Sequence, residues 1–160
     1  MSVHNILAKC DRSLAAYLVS VGAGTSADVV PAKLSLNKPL PNTTCASKRW
    51  RPLVENSGVY LVTSEIHVRS DPSADSGESA EEKLSASDER VSATWDAFFA
   101  VGTGSEALAA AITAAGRAAG VSDFTCQSCV ATGGDAGFDA RGNSWVDALD
   151  LEMVCFPSDS

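Results

Sequence analysis

The sequence predicts an α+β fold: an antiparallel sheet with helices packed on one face and a long C-terminal hairpin. Three observations predict it. Apolar residues recur at helical spacing over 3–21, 84–100 and 105–120. They alternate with period two over 59–69 and again over 145–156. The two patterns are segregated along the chain, with a glycine-rich polar stretch between the last two apolar segments. A chain of 160 residues fits one domain, long enough to bury a core without metal or disulfide staples.

Residues 3–21 open the chain with a helical stripe of Val3, Ile6, Leu7, Cys10, Leu14, Tyr17, Leu18 and Val21. Ser2 is a candidate N-cap, and Gly22 and Gly24 are candidates to end the helix. Pro31, Pro39, Pro41 and Pro52 then argue against a long helix or a central strand, so 31–57 is expected to be an extended, proline-containing loop. Within it, "VPAKLSL" has the makings of a short edge strand. Over 59–69, Tyr60, Val62, Ile66 and Val68 fall on one face, and Thr63, Glu65, His67 and Arg69 on the other. The Ser-, Asp- and Glu-rich sequence from 70 to 83 is expected to be a mobile acidic loop.

Leu84, Val91, Trp95 and Phe98 mark the second helix, with Ser85 and Asp88 as a candidate capping box. "SEALAAAITAAGRAAG" is the third, with Ser105 and Gly120 as candidate caps and Glu106 in the first turn. A strand over 123–131, the loop "TGGDAGFDARGNS" and a strand over 145–156 complete the hairpin. Leu149, Leu151, Met153 and Cys155 share one face of the last strand, with Asp150 and Glu152 on the other.

The chain contains few motifs that carry chemistry. Five cysteines are scattered, and the N-terminus lacks a basic leader before an apolar block, so free thiols in a reducing compartment are expected. "DFTCQSCV" holds a Cys-x-x-Cys pair, the spacing of a zinc site or a redox dithiol. On a regular strand Cys126 and Cys129 point to opposite faces, and they chelate one metal only if the strand breaks between them. The pair also precedes no helix that would stabilise a thiolate. "GAGTSA" matches Gly-x-Gly-x-x-Ala, but a helix pattern precedes it and Pro31 follows, against the strand–turn–helix context of a dinucleotide site. "GGDAGFDARGNS" lacks the residue order of a calcium loop. There is no Gly-x-Ser-x-Gly elbow, and His67 lies on a polar strand face, so no catalytic, cofactor or metal-binding residue is assigned.

Charge is more informative. The net charge of −8 argues against broad binding of nucleic acid or anionic membrane. No apolar run is long enough to span a bilayer. Residues 29–54 contain no acid but carry Lys33, Lys38, Lys48, Arg49 and Arg51, whereas 71–89 hold seven acids and only Lys83. Two readings stand: solvated loops, or complementary patches meeting across a subunit interface. On the second, Lys48, Arg49, Trp50, Arg51, Asp71, Asp75 and Glu78 are the candidate interface residues. Trp50 beside arginines has the composition of an interface hot spot, though a buried anchor beneath a basic loop suits it equally.

"GVYLVTSEIHVRSD", an acidic loop, "DERVSATWDAFF", "DFTCQSCV", a glycine-rich loop and the closing "NSWVDALDLEMVCFPSDS" together resemble the small tail terminator (tail completion) proteins of tailed bacteriophages and related prophages. The resemblance covers most of the chain in layout, and 58–71 and 123–159 in residue pattern. It implies an α+β subunit of a homo-oligomeric ring, usually of six, located in the virion neck after assembly in the host cytoplasm. Such a ring stops the tail tube and joins it to the head connector, and DNA only passes through its lumen. It implies no enzyme activity, cofactor or membrane. The segment 31–57 departs from the pattern. Another neck or head-closure connector is the nearest alternative, and a small Cys-x-x-Cys metal or redox module is the alternative of a different class.

Overall fold

The computed structural model describes residues 3–32, 42–55, 58–70, 77–101, 105–139 and 144–158. Its elements are α1 (Val3–Ser20), β1 (Val29–Pro31), β2 (Thr43–Pro52), β3 (Tyr60–Ser70), α2 (Ala80–Phe98), α3 (Ser105–Ala118), β4 (Thr125–Asp139) and β5 (Ser144–Phe156). The five strands among the described residues form one sheet in the order β1-β2-β3-β5-β4. The α+β class, the single helical face and the long C-terminal hairpin follow the sequence pattern. The sheet is mixed rather than wholly antiparallel, because β1 runs parallel to β2 over Val29–Pro31.

The core lies between the sheet and the helices. The stripe of α1 buries Ile6, Cys10, Leu14, Tyr17 and Leu18, and Leu7 and Val21 pack at its margin. Complete burial of each such large apolar side chain favours folding by about 1.5–3 kcal/mol. In β3 the residues Val62, Ser64, Ile66, Val68 and Ser70 are buried while those between them are half-exposed. Leu151, Met153 and Cys155 of β5 sit opposite them on the same face. Tyr17 ties α1 to the end of α2, where its hydroxyl donates to the Phe98 carbonyl at 2.6 Å and its ring meets Phe98 edge-on at 5.5 Å.

Helix α2 starts earlier than expected. Its N-cap is Ser79, whose hydroxyl accepts from the Glu82 amide at 3.1 Å, while the Glu82 carboxylate accepts from the Glu78 amide at 2.9 Å. Ser85 and Asp88 therefore lie inside the helix and form no capping box. The expected acidic loop 70–83 is shortened at both ends, since Ser70 belongs to β3 and Ala80–Lys83 to α2; residues 71–76 lie outside the described residues. Leu84, expected in the buried stripe, is exposed. α2 is anchored to the end of β3 by a Ser70–Ser87 hydroxyl bond of 2.5 Å and by Arg90, which donates to the Arg69 carbonyl at 2.9 Å.

Helix α3 packs on α1 at a glycine. A Cβ added at Gly116 would lie 2.8 Å from Ser13 Cβ and 3.3 Å from Ser13 Cα, so the absent side chain is what lets the helices approach. Thr113 of α3 also clamps the start of β4. Its hydroxyl accepts from the Cys126 amide at 2.9 Å and donates to the Cys126 carbonyl at 3.3 Å.

The structure departs from the sequence expectation at β2 and at the Cys-x-x-Cys pair. The stretch 31–57 is not a continuous loop: it contains β2, whose only proline, Pro52, is its last residue and costs no interior ladder bond. Pro39 and Pro41 lie outside the described residues. In addition, Cys126 and Cys129 do not point to opposite faces. The register shifts between Cys126 and Ser128, so Cys126 pairs with Cys155 and Cys129 with Met153, two residues apart on the core face of β5. This bulge inserts one residue and resets the alternation. The Cys126 thiol donates to the Ser128 carbonyl at 3.2 Å across the bulge.

The hairpin is longer than the glycine-rich sequence suggests. β4 continues through "ATGGDAGFD" to Asp139, paired with β5 along its length. Gly134 faces Ala148 so closely that a Cβ would overlap the Ala148 carbonyl. In this half of β4 every side chain from Val130 to Phe138 is exposed.

Candidate assembly interface

Among the described residues, the sheet has two open edges of opposite charge. On one side β1 pairs with β2 only as far as Cys45. Beyond it, among the described residues, no strand covers the outer edge of β2 from Ala46 to Pro52. That stretch carries Lys48, Arg49 and Arg51, all exposed. On the other side β4 is the last strand among the described residues, and after the Thr113 clamp none of these covers its outer edge from Gln127 to Phe138. Asp135 lies on that edge with no base beside it on β4.

Strand register assigns each charge to a face. Glu65 of β3 sits opposite Ala46 and Asp150, on the face away from the helices. A register shift at Lys48 puts Arg49 opposite Thr63 and Arg51 opposite Leu61, on that same outer face. Asp135 sits opposite Ala148, also on the outer face. Asp150 and Glu152 of β5 share it. The outer face therefore grades from basic at β2 to acidic at β4 and β5. A shallow groove of about 420 Å³ crosses it, lined by Lys48, Glu65, His67, Asp135 and Asp139 among others.

Glu65 organises the middle of this face. Its carboxylate pairs with Lys48 and receives His67 Nε2 at 2.5 Å. Partial burial pushes the carboxyl up, but the hydrogen bonds from Lys48 and His67 outweigh it and hold Glu65 below the usual glutamate range. Lys48 is thus committed within the subunit. Arg49 and Arg51 make no ion pair among the described residues.

Trp50 lies on the helical side of β2, opposite Val62. It is 46% exposed and meets Tyr60 edge-on at 5.9 Å, so it is not a buried anchor. Trp145 and Phe138 form a second exposed aromatic pair near the hairpin end, with centroids 6.0 Å apart. Of the acidic residues expected opposite the basic run, Asp71 and Asp75 lie outside the described residues. Glu78 is exposed just before α2, and no ion pair among the described residues joins it to Lys48, Arg49 or Arg51. Sequence reasoning missed Asp135 because it read the stretch as a turn. Only continuation of the strand through the glycines puts it on a sheet edge.

The thiols lie in the core. All five cysteines are buried and free. Cys10 Sγ is 3.4 Å from Met153 Sδ and 3.6 Å from Ser64 Oγ. Burial pushes the thiols of Cys45 and Cys129 up, away from the range in which a reactive thiolate forms. Cys155 is raised first by its hydrogen bond with Cys10. Among the described residues no group of three or more His, Cys, Asp or Glu side chains is placed to hold a metal ion. Among them also no helix is long and apolar enough to cross a membrane. No protein-family model and no curated protein matches the chain.

Proposed function

We propose that the protein is a structural subunit that assembles with copies of itself into a closed ring, in the manner of the phage tail terminator proteins its sequence resembles. In that role the ring ends the tail tube, joins it to the head connector and lets DNA pass through its lumen. The observation that carries this reading is the pair of unlike surfaces on one sheet: an open basic edge at β2 and an open acidic edge at β4. A ring closes through heterologous contacts, one patch against a different patch of the neighbour. Like edges repel here, while unlike edges attract. The test is negative-stain imaging with native mass measurement of the purified chain and of an Arg49→Glu/Arg51→Glu variant. Lys48 is left in place because it pairs with Glu65. The native chain is expected to form rings and the variant to disperse. Rings that persist unchanged in the variant remove the charge basis of the reading.

A further inference from the structure

We infer that the open edge of β2 in one subunit pairs, strand to strand, with the open edge of β4 in the next, so that the sheets join into one continuous sheet across each subunit contact. The inference rests on the ring reading and deepens it by naming the contact.

An open strand edge presents unpaired backbone N–H and C=O groups, which attract another strand. Natural proteins protect such edges with charges, bulges and covering elements. Both edges here are protected, but incompletely and with opposite signs. β2 has a bulge at Lys48 and the cations Arg49 and Arg51. β4 has register shifts, glycines and Asp135. Pairing β2 with β2 would set Arg49 and Arg51 against their own copies. Pairing β4 with β4 would set Asp135 near its own copy. Directly opposed like charges destabilise a strand pair, and opposite charges stabilise it. The two protections therefore disfavour isologous pairing and favour the β2–β4 combination.

The faces also agree. Arg49, Arg51 and Asp135 all project from the face away from the helices. In a continued sheet the cations of one copy fall beside the acid of the next. A shift by two residues preserves that relation, because strand side chains alternate with period two. The ends of the two free stretches are defined as well. β1 covers β2 up to Cys45. Thr113 occupies the backbone of Cys126 at the start of β4. The stretches left open are those that carry the opposite charges.

Cysteine cross-linking tests the contact, because the five native thiols are buried. Opposed residues in adjacent strands lie about 4.5–5.5 Å apart, within disulfide reach. Chains carrying Arg49→Cys are mixed with chains carrying Asp135→Cys or Gly137→Cys and oxidised mildly. A Cβ at Gly137 meets nothing within 4 Å, so the fold admits it. The expected result is a reducible product of doubled mass in a mixed sample, absent from either chain alone and from the native protein. A second measurement does not depend on cysteine geometry. Arg49→Asp/Arg51→Asp should weaken self-association about tenfold or more, and mixing with Asp135→Arg chains should restore it. A ring that yields no mixed cross-link and no charge-swap rescue overturns the edge pairing and leaves the ring. A cross-link in the Arg49→Cys chain alone also overturns it. A chain that is monomeric in every mixture overturns both.

Discussion

Gly116→Ala in α3 is expected to destabilise the protein, although the same change in an exposed helix interior favours folding by about 1 kcal/mol. The reversal comes from Ser13 of α1. The new Cβ would stand 2.8 Å from Ser13 Cβ and 3.3 Å from its Cα, and only the first atom belongs to a side chain. Rotation of Ser13 therefore cannot remove the overlap, and α1 and α3 must separate. Overpacking of this kind costs about 1–3 kcal/mol, which against the propensity gain leaves a net loss of up to about 2 kcal/mol. For a chain of this size that is a fall in Tm of up to about 8 °C. Urea unfolding followed by circular dichroism reads the same quantity as a lower midpoint at unchanged slope. Ser13 supplies a companion test. Its hydroxyl is buried and has no hydrogen-bond partner among the described residues. Ser13→Ala should raise stability by about 1 kcal/mol, and it should recover part of the loss in the Gly116→Ala background, where the two changes couple. If Gly116→Ala raises the midpoint instead, α1 and α3 do not meet at this point and the helical layer is packed differently.

Further expectations concern charge and thiols. Glu65 titrates below its ordinary value of 4.5, so its pairing with Lys48 and His67 stabilises fully above that pH and is lost as pH falls through the lower folded value. Glu65→Gln should therefore reduce stability near neutral pH by about 0.2–1 kcal/mol and flatten the acid limb of the stability profile below about pH 4.5; an unchanged acid limb contradicts the pairing. The five thiols should resist an aromatic disulfide reagent in the folded protein and all react on denaturation; rapid reaction of Cys126 or Cys129 would show that the bulge does not turn both inward. Gly134→Ala should loosen the outer half of the hairpin, because its Cβ collides with backbone rather than with a movable side chain. Faster amide exchange confined to β4 and β5 is the readout.

The elements legible in the sequence were those whose pattern is enforced by one buried face. The stripe of α1 and the alternation of β3 and β5 are each read against water on one side and core on the other. β2 was not legible because it has little such contrast. Its outer half, Arg49 to Pro52, is exposed throughout, so pairing with β3 rather than a buried side-chain pattern makes it a strand. The same holds for β4 beyond Val130, where β5 supplies the ladder that glycine-rich sequence would not hold alone. The bulge at Gln127 inverted the inference about Cys126 and Cys129, since a one-residue insertion leaves composition unchanged and flips every later side chain. For the interface, the basic run at 48–51 was visible as charge. Its position on an open edge, and the acid at Asp135 on the opposite edge, exist only once strand order is set.

If unlike edges of one sheet close copies of this chain into a ring, the assembly has one fixed size. Native mass measurement over a concentration series tests it most directly. Ring closure gives one closed multiple of the subunit mass, unchanged on dilution until it falls apart, and lost in Arg49→Glu/Arg51→Glu. A monomer at every concentration, or a ladder of lengthening open assemblies, contradicts it.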